Sequence, residues 1–147
     1  MKLTTKGKFA VTALLDIAIH GNNSPITLCG ISKRHSISVS YLEQLFVKLR
    51  RNGLVKSYKG PGGGYVLAKP ADMINVSQII KSVDDDMDAR SCKGMKNCRE
   101  QNQCLTHDLW NNLTTYVYDY LDKITLTDVI SSLNNKKTQP IKLIARA

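Results

Sequence analysis

The chain has 147 residues, 22% of them charged and 42% hydrophobic, with a formal net charge of +9. That is enough for one domain with a core of its own, plus an appended assembly element. No apolar run approaches the ~20 residues of a membrane span, and no secretory apolar region is seen near the start. A cytoplasmic protein without membrane contact is expected, in which the four cysteines serve as metal ligands or buried thiols rather than a disulfide framework.

The charge is lopsided. Residues 1–69 carry eleven basic side chains against Asp16 and Glu43, whereas residues 70–147 carry ten of each sign. The whole excess therefore lies in the first half, the electrostatic footprint expected of a polyanion binder.

Taken in chain order, apolar residues at Phe9, Val11, Leu14, Leu15, Ile17 and Ala18 predict a helix from about Lys6 to Ile19, capped by Thr4 or Thr5. The turn cluster Gly21–Pro25 ends it. A short extended piece, 26–28, leads to a second helix with Ile31 inward and Lys33 and Arg34 outward. His20 and His35 are read as helix-terminal or solvent-facing, and Cys29, between Leu28 and Ile31, as a buried thiol. After a break at Ser36–Ser38, Leu42, Leu45, Phe46 and Leu49 recur at i, i+3, i+4, i+7, one buried helical face. Ser40 and Glu43 fit a capping box, with Ser38 the alternative cap, and Asn52–Gly53 stops the helix. Two helices joined by a tight turn, the second polar and basic outside, predict a helix-turn-helix.

Two short strands, 54–58 and 65–69, flank Lys59-Gly60-Pro61-Gly62-Gly63-Gly64 and make this a winged helix. The glycines lack the Lys-Ser/Thr and following helix of a phosphate-binding loop. Tight turning and close backbone approach explain them better. On the DNA side, Ser38, Ser40, Tyr41, Glu43 and Gln44 occupy the first turns of the second helix, where base edges are reached. Gln can pair with adenine and Glu can accept from cytosine. Lys33, Arg34, Lys48, Arg50, Arg51, Lys56 and Lys59 are candidates for phosphate contact, with Gly60, Gly62 and Gly63 at the wing tip. Glu43 either discriminates among bases or only completes the capping box.

Pro70 opens a loop into a short helix over 76–83, with Ser77 as its cap. The acidic run from Asp84 lacks the ligand spacing and glycine of a calcium loop. Next come Cys92, Cys98, Cys104 and His107, spaced C-x5-C-x5-C-x2-H in a polar stretch with almost no apolar side chains. Such a loop has no hydrophobic means of ordering itself, and three thiolates with an imidazole suit a soft metal centre, iron–sulfur or zinc. Cys104 and His107, three apart at a helix start, are expected on one side of that helix. A Cys/His nucleophile would need a cleft and an orienting third group, which so short a polar loop does not offer, so no enzyme is expected. Beyond it, Leu105, Leu109, Leu113, Tyr116, Val117 and Tyr120 recur at steps of three and four. They predict a long helix that packs across its own domain or pairs with a second copy, as dimeric operator-binding proteins do. A short helix begins at Thr125.

These segments together resemble the IscR family of bacterial iron–sulfur cluster regulators over nearly the whole chain. The matching pieces are Leu3–Val11, Ser38–Phe46, Gly60–Tyr65, Ser82–Asp84 and Cys104–Trp110. The related nitric-oxide sensors of the NsrR type share three cysteines at other spacings. The resemblance implies a mainly helical protein with a small β-hairpin, a winged helix-turn-helix over 1–83, a cluster-binding loop over 84–104, a dimerisation helix and closing helix over 105–134, and a flexible tail over 135–147. It implies a homodimeric regulator, repressing or activating, that binds promoter DNA and holds a 2Fe–2S cluster on Cys92, Cys98, Cys104 and His107. The cluster would come from the assembly machinery whose genes it controls. A structural Cys3His zinc site or a nitric-oxide-sensing cluster is the alternative. Lys59 departs from the arginine common at that wing position.

Overall fold

The computed structural model of the chain describes residues 3–83, 88, 90, 95 and 103–138. Its elements are α1 (Thr5–His20), α2 (Leu28–His35), α3 (Val39–Arg51), β1 (Val55–Tyr58), β2 (Gly64–Leu67), α4 (Val76–Ser82), α5 (His107–Lys123) and α6 (Leu126–Thr138), with a 3-10 turn at Ala71–Met73. The expected mainly helical fold with one antiparallel hairpin is present, a winged helix-turn-helix followed by a long helix.

α1 is the central post. Ala10, Ala13, Leu14 and Ile17 on it are buried with Ile31 of α2, Leu42, Leu45, Phe46 and Leu49 of α3, and Ile74, Ile79, Val83 and Leu126. The alanines matter because they let neighbouring helices approach closely, while Leu and Phe from α3 fill the space between. Burying a large apolar side chain contributes about 1.5–3 kcal/mol, so the four inward residues of α3 anchor it firmly. Its outer face is then left for other work.

The α2–α3 turn is made by Ser36, which adopts a left-handed conformation at φ 55°, with Ile37 plugging the core beneath it. The cap of α3 is Ser38, whose hydroxyl accepts from the Tyr41 N–H at 3.3 Å. Ser40 therefore lies inside the helix, and the capping-box reading of Ser40 with Glu43 falls. At α4 the cap is Asn75, not Ser77: Asn75 and Gln78 form a reciprocal capping box. Ser77 is instead buried and donates to Asp122 of α5.

The wing pairs Val55 with Leu67 through Tyr58 with Gly64. Ile26 and Tyr65 exchange backbone hydrogen bonds of 2.9 and 2.8 Å, tying the wing to the chain entering α2. Gly64 makes this possible: it sits at φ 151°, and a Cβ there would lie 2.5 Å from the Ile26 carbonyl oxygen. A second pair of backbone bonds, Val76 N–H to Ile124 C=O (2.9 Å) and Leu126 N–H to Ile74 C=O (3.0 Å), docks the C-terminal helices onto the winged domain. Around it a smaller apolar cluster joins Val76 and Ile80 to Val11, Val117, Leu121, Ile124 and Val129. α6, capped by the reciprocal Thr125–Asp128 pair, continues to Thr138, past the boundary expected at residue 134. The rest of the expected tail lies outside the described residues.

Candidate DNA-binding face and metal centre

With Leu42, Leu45, Phe46 and Leu49 turned inward, α3 presents Ser40, Glu43, Gln44, Val47 and Arg51 outward, all exposed. Their spacing of three and four residues makes one stripe along the helix. Val47, 41% exposed, is a member that periodicity alone could not single out, since a lone valine between Phe46 and Lys48 reads as core. Tyr41 is not on the stripe: it is half-buried with its ring edge-on to Phe9 of α1, centroids 5.8 Å apart. It therefore sets the angle of α3 rather than projecting freely. Ser38 is used as the cap, Arg50 and Arg51 are exposed, and Lys48 is half-buried.

The wing is held against the same helix. The Phe46 and Tyr65 rings pack with centroids 4.6 Å apart, and the Arg50 guanidinium donates to the Ser57 hydroxyl at 3.5 Å. Lys56, Lys59, Gly60 and Gly62 are exposed on the wing, and Gly63 is half-buried. Gly62 at φ 74° has open space around it, so its requirement is the turn itself; at Gly63 a Cβ would lie 2.4 Å from the Tyr58 carbonyl oxygen.

Beneath the helix-turn-helix lies a polar cluster that the sequence did not disclose. Asp16, on the buried side of α1, accepts from Arg34 Nε (2.8 Å) and Nη2 (2.6 Å) and from His35 Nε2 (2.7 Å). His20 Nδ1 stands 3.6 Å from the same carboxylate. Burial pushes the Asp16 carboxyl up, but the hydrogen bonds from Arg34 and His35, aided by the charges of Arg34 and His20, outweigh it and hold it below the usual carboxylate range. Arg34 is thus engaged in bracing α2 on α1, not in reaching a phosphate, and neither histidine is merely solvent-facing. A lone aspartate within an apolar helix was the available signal. Cys29, expected buried, is exposed on α2.

At the proposed metal centre, Cys104 and His107 are among the described residues, whereas Cys92 and Cys98 lie outside them. Cys104 precedes α5, Thr106 is the N-cap and His107 is the first helical residue. The two are not paired along a common helical face as expected; a turn joins them, with the His107 N–H donating to the Cys104 carbonyl at 3.1 Å. The Cys104 thiol is half-buried, 3.9 Å from the Thr106 hydroxyl, and His107 is 5% exposed. A soft and a borderline donor, one turn apart in a shielded corner, fit the chemistry of a cluster or zinc ligand set. Among the described residues alone, no group of three or more such donors is assembled.

α5 has three stripes. Val117 and Leu121 pack on α4. Asn111 and Thr114 receive the Asp88–Arg90 clamp, in which Arg90 pairs with Asp88, Arg90 Nη1 donates to Asn111 Oδ1 at 2.8 Å and Thr114 Oγ1 donates to Asp88 at 3.3 Å. Leu109, Leu113, Tyr116 and Tyr120 are exposed, Tyr116 by 75%, and Leu105 just ahead of the helix is exposed as well. Five of the six residues expected to meet a second copy therefore form a bare apolar surface, while Val117 serves the chain's own interior.

Comparison with known proteins agrees with this arrangement. Residues 3–132 match the model of the Rrf2 family, described as iron-dependent transcriptional regulators. The chain belongs to the Rrf2 family. A Neisseria meningitidis protein, provisionally named an HTH-type transcriptional regulator, is 54% identical over 135 residues, 92% of this chain and 91% of that one. The HTH-type transcriptional regulator IscR of Erwinia tasmaniensis is 50% identical over 132 residues, 90% and 80% of the two chains. Among solved structures, T. potens IscR superposes with a TM-score of 0.75 at 32% identity, covering 97% of this chain and 93% of that one. CymR, the global cysteine regulator of B. subtilis, gives 0.77 at 32% identity, covering 90% and 98%. This Rrf2 protein is accordingly a transcriptional regulator of the IscR type with a DNA-binding winged helix, as the motifs implied. Among its described residues no helix is long and apolar enough to cross a membrane.

Proposed function

We propose that this Rrf2 regulator acts in the cytoplasm as a homodimer that senses iron–sulfur cluster status through a 2Fe–2S cluster and controls the genes of cluster assembly. The residues that would hold the cluster are Cys92, Cys98, Cys104 and His107, charged by the cell's cluster-assembly machinery. The observation that carries this reading is the placement of Cys104 and His107 at the N-terminal end of α5, the helix whose bare apolar stripe offers itself to a second copy. A bound cluster would supply three thiolate bonds and one imidazole bond that respond to iron, sulfide and oxidation. The chain's own part is to hold the His107 ring in a shielded corner and to connect that corner, through α5 and α4, to the winged domain.

On the DNA side, Ser40, Glu43, Gln44 and Val47 face base edges, and Lys48, Arg50, Arg51, Lys56 and Lys59 face phosphates. With the capping role gone, Glu43 stands as the only acid on that face among the described residues, where it weakens non-specific attraction and serves discrimination. Val47 supplies an apolar surface suited to a thymine methyl.

The test is an anaerobic visible spectrum of freshly purified protein, with iron, sulfide and zinc assayed on the same sample. Broad visible bands with matched iron and sulfide are expected. A colourless protein with stoichiometric zinc, even after anaerobic reconstitution, would leave a DNA-binding regulator with a structural metal and remove the sensing role.

A further inference from the structure

Thr106 stands at the N-cap of α5 and does not cap it. A threonine there ordinarily turns its hydroxyl onto an N–H of the first helical turn. Thr27, Ser38 and Asn75 do this for α2, α3 and α4, each from extended backbone. Thr106 instead lies at φ −105°, ψ 10° and makes no side-chain cap bond. The cause is local. The His107 N–H donates to the Cys104 carbonyl, closing a turn in which Thr106 is the second central residue. That place in a turn favours φ of about −90° and ψ of about 0°. The turn that joins Cys104 to His107 thus takes the Thr106 hydroxyl away from the helix N–H groups.

Where the hydroxyl goes is informative. Trp110, one turn into α5, donates its indole N–H to Thr106 Oγ1 at 3.0 Å. Cys104 Sγ stands 3.9 Å from the same oxygen, within hydrogen-bonding reach for sulfur. An indole can only donate, so Thr106 is the acceptor in that pair. Its single proton is then left to give, and a thiolate or metal-bound sulfur can take it. A hydroxyl that accepts one hydrogen bond donates the next more strongly. The three side chains form one directed chain, from indole to hydroxyl to sulfur.

We propose that Thr106, backed by Trp110, is a positioning residue for the metal centre that donates a hydrogen bond to the Cys104 sulfur and so tunes it. The proposal rests on the cluster reading above for its purpose, while the chain of hydrogen bonds is made by this protein's own side chains. A hydrogen bond to a ligating sulfur draws charge from it. That favours the more electron-rich state of the centre and raises its reduction potential. The same bond explains why a residue well suited to capping is used for something else.

The experiment uses the full-length protein with Thr106→Val, which keeps the shape and loses the hydroxyl, and Thr106→Ser, which keeps the hydroxyl. Trp110 is the sole tryptophan of the chain, so an isotope-labelled sample gives one indole N–H resonance in NMR. In metal-free protein that resonance is expected to move upfield and exchange with water several-fold faster in Thr106→Val. It is expected to stay in place in Thr106→Ser, and the thermal midpoint to hold in both, because no cap is lost. After anaerobic reconstitution the midpoint potential is expected to become more negative in Thr106→Val. It should shift the same way by less in Trp110→Phe and stay native in Thr106→Ser. An unmoved indole resonance overturns the proposal, as does a native potential in Thr106→Val or a Thr106→Ser variant that behaves like it. If the native protein takes up no iron and sulfide, the cluster reading fails and cobalt(II) loading decides the tuning bond. Thiolate charge-transfer bands that shift in Thr106→Val sustain it, and bands that do not move overturn it.

Discussion

Asp16 is the residue on which the DNA-binding unit turns. Its carboxylate is buried with two strong partners from α2, so the spacing of the helix-turn-helix depends on a charge inside the fold. Removing one member of such a group leaves the others badly served, and Asp16→Asn is expected to destabilise the protein by about 2–4 kcal/mol in urea denaturation. The sign of its pH dependence follows from the depressed carboxyl. The unfolded group titrates near 3.8 and the folded one lower, so the native state binds fewer protons in that range. The stability from Asp16 is complete above the unfolded value and is lost as pH falls through the folded one. Asp88, held down to about 2 by the hydrogen bonds of Arg90, adds a loss of the same sign as pH falls from about 4 toward 2. Acid titration of stability in Asp16→Asn should be shallower than in the native chain. An equal slope would show that the carboxylate contributes nothing.

At the scale of elements, α5 does most to connect the parts. One stripe fastens it to α4, a second receives the Asp88–Arg90 clamp, and the third is bare apolar surface. Isolated exposed leucines are ordinary, but a continuous stripe of Leu and Tyr along one helix is a surface that water does not favour. In the proposed homodimer this stripe is the surface that a second copy would cover. Leu113→Asp, at the middle of the stripe and outside the core, is expected to convert the dimer to monomer in sedimentation velocity while leaving the thermal midpoint of the chain nearly unchanged. A dimer that survives this change would place the interface elsewhere. Helices α3 and α4 show why cap assignments failed at the sequence level. Ser38, Ser40 and Ser77 all carry suitable hydroxyls, and which of them caps is settled by where the chain enters the helix, not by composition.

Across the whole molecule, the charge excess of the first half is sorted by the fold. Arg34 is consumed by Asp16, whereas Arg50, Arg51, Lys56 and Lys59 stay exposed on α3 and the wing and Lys33 stays exposed on α2. If six to ten phosphates are contacted by a dimer, operator affinity should fall by about 10³–10⁵ between 50 and 200 mM salt. Titration by fluorescence anisotropy checks this, and the same titration on Glu43→Ala tests discrimination. The variant is expected to hold its operator affinity and to bind altered sequences more tightly. A uniform loss over all sequences would assign Glu43 a structural role.

Periodicity and turn chemistry were enough for the helices, the hairpin, the buried face of α3 and the position of the wing, because each of these is a local pattern repeated over several residues. The residue types and spacing of Cys92, Cys98, Cys104 and His107 are legible in the same local way, and the metal centre they suggest is the proposal made above. What only the tertiary structure decided was pairing at a distance. The Asp16 cluster joins residues fifteen or more positions apart on two helices, the Asp88–Arg90 clamp meets α5 more than twenty residues later, and the division of α5 into three stripes depends on what packs against each. Local sequence specifies the conformation of a segment; the partner of a buried charge or an apolar stripe is set by which segments the closed core brings together.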